Sequence, residues 1–307
     1  MTRPDAVMPP MVPFLSAGFA RLTPNLRGAV WMIASAVCFT VMTVLVKRLA
    51  GYSPPLQLFF SQLAVVIGLT PTLIRKPGVL GSGQLMLLFG RAMTAVAGVL
   101  LSYYSFQELP LADANALSFT RALWMAPLGV VLLGERVGPG RAAALIAGFI
   151  GVLVVVNPSA QTEVGWPHAA AIGSALLFAL TVVSIKLLAK QHGTFSLLCW
   201  SSILGFLLSI PPAILVWTWP TPGDAALFVV MGAASVGAQA CYIKGMTCGN
   251  SVALAPLDYL RLIFAVIIGV CFFNEVPTLS MVAGGALIIV STVSITLWEA
   301  RTRSGHP

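Results

Sequence analysis

Ten apolar stretches follow one another along this chain, most of them close to twenty residues long: 28–49, 56–74, 84–106, 111–134, 141–156, 167–188, 195–217, 224–246, 251–273 and 278–298. A helix rises about 1.5 Å per residue, so about twenty apolar residues match the hydrocarbon thickness of a bilayer. The connections are short and punctuated by Pro and Gly, as at Pro77, Gly78, Pro139, Gly140, Pro222 and Gly223. Only 8% of the residues are charged and 58% are hydrophobic, whereas a water-facing surface usually needs roughly 25% charge. In lipid every backbone polar group needs a partner within the protein, and windows of this length meet that need as helices. The expected class is an all-α polytopic membrane protein with ten transmembrane helices.

The net charge of +8 would suggest nucleic acid in a soluble chain. Here its distribution reads instead as the positive-inside rule, with no nucleic-acid partner. With the N-terminus inside, twelve Lys and Arg residues fall on the cytoplasmic side and only Lys47 and Arg48 on the outer side. Both termini are therefore expected in the cytoplasm, flanking the bilayer as tails over 1–27 and 299–307. The first apolar segment ends in Lys47 and Arg48 rather than in a small-residue cleavage site, so it is read as a retained span. The five cysteines, at 38, 199, 241, 248 and 271, lack paired spacing, and His168, His192 and His306 fall in loops or the tail. Neither a disulfide framework nor a metal site is expected, and no cofactor.

The second half repeats the first. At a shift of 139 residues Ser35, Phe39 and Lys47 fall on Ser174, Phe178 and Lys186, and Gly98 and Tyr103 fall on Gly237 and Tyr242. At a shift of 140, Arg121 and Glu135 fall on Arg261 and Glu275. Two units result, 28–156 and 167–298, with spans two and seven the poorest match. An odd number of spans per unit places the copies in opposite orientations. Inverted repeats are a mark of secondary transporters, in which one architecture opens to either side around a site at the midplane. Arg121 and Arg261 each lie about ten residues into their spans, hence about 15 Å deep. A cation there needs a wet cavity or a partner.

The stretch "GAVWMIASAVCFT…VKRLA" over 28–50 and the unit-ending "LLGERV…AGFIGVLVV" resemble the EamA-type transporters of the drug/metabolite transporter superfamily. In the second unit Gly284 and Ser291 stand where the first has Ala144 and Gly151, a partial departure. The resemblance implies transport of small metabolites by alternating access through a cavity lined by spans 3, 4, 8 and 9 with 1 and 6. Within the family the chain is similar to YddG-like exporters of aromatic and other apolar amino acids. It also implies a monomer in a bacterial inner membrane.

Several side chains are candidates for substrate contact, each with a plainer reading beside it. Arg121 either attracts a substrate carboxylate or packs against backbone carbonyls, having no acid one turn away. Arg261 has Asp258 three residues before it and is expected to pair with it. Arg91, about seven residues inside the cytoplasmic end, is placed to snorkel to the headgroups. Tyr103 and Tyr242 either close the two mouths of a cavity in turn or belong to the interfacial aromatic belt. Tyr104, Asn115, Ser118, Trp124, Gln239 and Tyr259 complete the expected lining. By symmetry Lys47 with Glu275 on the outer side, and Lys186 with Glu135 on the inner, form gating pairs. Alternatively each glutamate serves the N-terminus of the helix that follows it.

Rival functions find less support. The sequence has no intramembrane histidine, one clearly mid-span acid, Asp258, and no GxxxxGK[ST] phosphate loop, against an intramembrane protease or an ATP-driven pump. A channel would show pore-lining rings in an oligomer. An Asp258 held ionised by Arg261 is not free to carry protons, which favours facilitated export over proton-coupled exchange.

Overall fold

The computed structural model describes residues 23–75, 85–133, 139–156, 165–188, 194–248, 257–258 and 260–304. These residues form eleven α-helices and no strand: α1 (Pro24–Arg48), α2 (Pro54–Arg75), α3 (Leu85–Glu108), α4 (Leu111–Ser118), α5 (Arg121–Leu133), α6 (Pro139–Val156), α7 (Trp166–Leu188), α8 (Thr194–Leu215), α9 (Pro222–Cys248), α10 (Leu260–Phe273) and α11 (Leu279–Ser304). α4 and α5 are two pieces of the fourth apolar stretch, so the helices account for ten spans.

Among the described residues four helical segments are long and apolar enough to cross a bilayer unaided: Leu26–Arg48, Leu85–Glu108, Trp166–Ser184 and Pro222–Gly245. They are spans one, three, six and eight, the two pairs that the sequence repeat exchanges. Five shorter apolar helices accompany them. Large apolar side chains such as Met86, Val131, Ile146, Leu153, Val229 and Ile263 point outward, exposed. In water such a surface would drive association, whereas in lipid it is the solvated face.

The packing obeys the repeat. α1 lies along α9, and its repeat mate α7 lies along α3. α9 also touches α2, as α3 touches α8; α5 packs on α7, as α10 packs on α1. Two further pairs, α2 with α8 and α6 with α11, map onto themselves under the exchange. At the second of these the backbones meet. A Cβ on Gly151 would lie 2.9 Å from the Gly284 carbonyl oxygen, and one on Gly284 would lie 2.6 Å from that of Gly151. Small residues are what allow such an approach in a membrane.

The two units run in opposite directions. Lys47, at the end of α1, reaches Glu275, just after α10, while the Glu275 carboxylate accepts the N–H of Leu111 at the start of α4. The fourth span therefore begins at the level where its repeat mate, the ninth, ends. At the other end of the molecule the Gly28 carbonyl of α1 lies against Gly245 of α9, so these helices are antiparallel.

One expectation about the elements needs correcting. The fourth span is not a continuous helix but breaks at Phe119 and Thr120. Asn115 Nδ2, Ser118 Oγ and Thr120 Oγ1 each donate, at 2.7 Å, to a main-chain carbonyl one turn back, on Leu111, Asn115 and Leu117. Short polar side chains bonding in this way compete with the helical ladder. The N–H groups of Phe119, Thr120 and Ala122 accordingly reach back only three residues, at 3.1–3.2 Å, the tighter 3₁₀ pattern. In the ninth span Leu257 and Asp258 form a 3₁₀ turn and regular helix begins at Leu260.

Candidate functional site

In both spans an arginine stands at the start of a helix, Arg121 opening α5 and Arg261 in the first turn of α10. A helix start carries unsatisfied N–H groups and the positive end of the macrodipole. Half-helices inside a membrane present these to anions.

The two arginines differ in their partners. Arg261 is neutralised locally: its Nη2 pairs with the Asp258 carboxylate and its Nε donates to the Asp258 carbonyl at 3.2 Å. Its guanidinium also lies 4.4 Å from the ring centre of Phe39 on α1 and 5.2 Å from that of Phe119 in the break of span four. The start of α10 thus touches the break in span four. Among the described residues Arg121 makes no hydrogen bond or ion pair, although it, Arg261, Asp258 and Tyr242 are close enough to act on one another electrostatically. Two arginines and one aspartate leave one positive charge unbalanced. The rings of Phe39 and Phe119 stand against Arg261, and Tyr242 lies within electrostatic reach of both arginines. The group has the chemistry to hold a carboxylate beside an aromatic or apolar body.

At one end of the molecule the two units are joined by side chains. Lys47 Nζ donates to Glu275 Oε1 and, at 2.7 Å, to the Leu109 carbonyl, while Glu275 Oε2 accepts the Leu111 N–H at 2.8 Å. Local folding aims the glutamate. Asn274 has φ 53°, the left-handed conformation that ends a helix, and the Glu275 N–H bonds back to the Gly269 carbonyl at 3.0 Å. The bond reaches one residue further back than the six-to-one bond of a Schellman ending, with Asn in the left-handed place that glycine usually takes. Gly269 leaves room for the carboxylate, since a Cβ there would lie 2.5 Å from Glu275 Oε2. Beside this latch Asp113 and Glu275 share the wall of a small cleft. Inward of it Tyr103 is buried and its hydroxyl meets Ser61 at 3.3 Å. Gln57 caps the end of α1 through the Val46 and Leu49 carbonyls. Tyr52 bonds to Asp224 at 2.8 Å.

The remaining expected residues are distributed as follows. Asn115 is fully buried, its Oδ1 without a partner, and Ser118 is half-buried. Trp124 packs edge-on against Phe149, with its indole nitrogen buried and unpaired. Tyr104 and Tyr242 are half-buried and Gln239 is exposed. Tyr259 and Glu135 lie outside the described residues, as does the side chain of Lys186. Arg91 does not snorkel to the membrane surface: it is buried, bonded to Ser201 on α8. A hydroxyl within reach on a neighbouring helix captures the guanidinium that a lone helix would send outward. Phe39 and Phe119 were missed, because a cation over a ring joins segments far apart in sequence and leaves no local spacing.

The EamA-like transporter family model matches this chain twice, over residues 26–157 and 165–297. Among similar proteins, the mouse solute carrier family 35 member G1 is 28% identical over 291 residues, covering 88% of this chain and 78% of that one. The pseudopaline exporter CntI of Pseudomonas aeruginosa is 25% identical over 283 residues, 91% of this chain and 97% of its own. The S-adenosylmethionine uptake transporter of Rickettsia prowazekii is 28% identical over 296 residues, 92% and 97% of the two chains. One crystal structure shares the fold with a TM-score of 0.61 at 18% identity, over 90% of this chain and 98% of that one. With two matched repeats that together span most of its length, the chain belongs to the EamA-like transporter family and is a multi-pass membrane transporter.

Proposed function

We propose that this transporter exports small carboxylate-bearing metabolites, aromatic or other large apolar amino acids above all, by alternating access around the point where the break in span four meets the start of α10. The observation that carries this reading is Arg121, a mid-membrane cation with no hydrogen-bonding or ionic partner among the described residues, beside a neutralised Arg261–Asp258 pair. In a low-dielectric site an unbalanced guanidinium attracts a carboxylate and forms two parallel hydrogen bonds to it. Phe39, Phe119 and Tyr242 supply apolar surface for the rest of the substrate, with Tyr104, Asn115, Ser118, Trp124, Gln239 and Tyr259 as further contacts. Lys47 with Glu275 acts as the outer gate, and Lys186 with Glu135 as its inner counterpart.

The relatives carry different cargoes, one by export and one by uptake, so the substrate reading rests on this chain's own residues. With Asp258 committed to Arg261, transport runs down the substrate gradient without a coupled proton. The protein works as a monomer in a bacterial inner membrane with both termini cytoplasmic, in keeping with the twelve-to-two bias of basic residues. The test is counterflow of labelled aromatic amino acids in liposomes holding the purified protein. Saturable counterflow independent of a pH gradient, lost in Arg121→Gln, is the expected result. If amino amides lacking the carboxylate compete as well as the parent acids, the carboxylate role of Arg121 is wrong. If no large apolar amino acid competes, the substrate class is wrong while the carrier remains.

A further inference from the structure

Among the described residues outside the transport site, Arg91 is a buried cation, with a relative exposure of 9%. It stands six residues into α3, and seventeen before Glu108 at the latch end, hence about 26 Å below the latch. Its Nη1 is bonded to Ser201, but its Nε is buried with no acceptor. The indole Nε1 of Trp200, the neighbour of Ser201, is in the same condition. These groups share one seam between α3 and α8, since Leu88, one turn from Arg91, packs on Trp200 and Leu204. A guanidinium has five N–H donors and an indole one, and neither can accept. The seam is therefore rich in donors and short of acceptors.

No described carboxylate makes good the shortage. Glu108, Asp113, Asp224 and Glu275 belong to the latch end, and Asp258 is committed to Arg261 at the centre. A buried cation without an anion is costly in a membrane. The sequence adds more positive charge at this end, with Arg75 and Lys76 upstream of α3 and Lys190 upstream of α8. The outward side of the seam is apolar: Met86, Phe89 and Met93 on α3 and Leu207 on α8 are all exposed. Unfilled donors in the seam, an acyl-compatible face beside them and a basic surround are what an anionic phospholipid needs.

We infer that the seam between α3 and α8 is a binding site for an anionic phospholipid of the leaflet opposite the latch, its phosphodiester accepting from Arg91 and from the Trp200 indole. The site is separate from the transport residues and ties the third span of one unit to the seventh of the other. Its test is thermal melting of the purified full-length protein in neutral detergent, titrated with short-chain phosphatidylglycerol, with phosphatidylcholine of the same chain length, or with inorganic phosphate. Phosphatidylglycerol is expected to raise the Tm of the native chain and the other two to leave it unchanged. Removing one charge-assisted hydrogen bond weakens binding by about tenfold or more. Arg91→Gln should abolish the phosphatidylglycerol response and Arg91→Lys should retain part of it. Trp200→Phe, which deletes only one N–H from the seam, should shift the titration to higher lipid concentration. An undiminished response in Arg91→Gln, or in Trp200→Phe where the former does not fold, overturns the site. A rise of equal size with inorganic phosphate overturns the lipid as its occupant.

Discussion

Asp258 and Arg261 form an ion pair with side-chain exposures of 17% and 12% at mid-membrane depth. Such a pair adds little over an apolar replacement, whereas removing one partner strands the other charge. Asp258→Asn is therefore expected to destabilise the protein by about 3 kcal/mol. Asp258→Asn with Arg261→Gln should recover most of the loss, and thermal melting in detergent of the two singles and the double measures it. A double variant no more stable than Asp258→Asn would show that the pair is not the source. The pairing was legible in the sequence because three residues separate the partners on one turn. The role of Phe119 was not, because it depends on the break in span four meeting the start of α10 across the molecule.

At the scale of the helices, hydropathy located the spans but gave no sign that the fourth is broken, since an apolar window reads the same whether its helix is whole or interrupted. The signal lay in Asn115, Ser118 and Thr120, polar side chains spaced to bond backward to the main chain. A second signal lies at the unit ends: Gly129, Gly134 and Glu135 recur at the 140-residue shift as Gly269, Asn274 and Glu275. In the second unit those positions clear the carboxylate, turn the chain left-handed and supply the latch. Asn274→Gly should be tolerated, whereas Asn274→Val should cost about 1–3 kcal/mol, because a β-branched residue resists positive φ. Equal melting temperatures for the two variants would count against that account. Gly284→Ala drives a methyl into the Gly151 carbonyl and should destabilise by about 1–3 kcal/mol. Its neighbour is the control: Gly285→Ala meets nothing nearer than 3.6 Å and should melt like the native protein.

For the molecule as a whole, the repeat and the opposite sense of its halves could be read from the shifted identities and the odd span count. Which helix packs on which could not, because lipid-facing and helix-facing apolar residues look alike in a hydropathy profile. The latch joins one half to the other through Lys47 and Glu275. Glu275→Gln is expected to raise the rate of maleimide labelling at Ser61→Cys several-fold, read on a background with the native cysteines replaced. Exchanging the charges, with Lys47→Glu and Glu275→Lys, should bring the rate back down. Labelling insensitive to both changes would mean that the ion pair does not hold this end closed. The contact between Gly151 and Gly284 stands in another relation to such movement. It belongs to the α6–α11 pair, which the repeat exchange carries onto itself, while the contact is carried onto Ala144 and Ser291. Two glycine backbones pressed together make this a seam at which the halves are held in contact, with no side chain between them to give way.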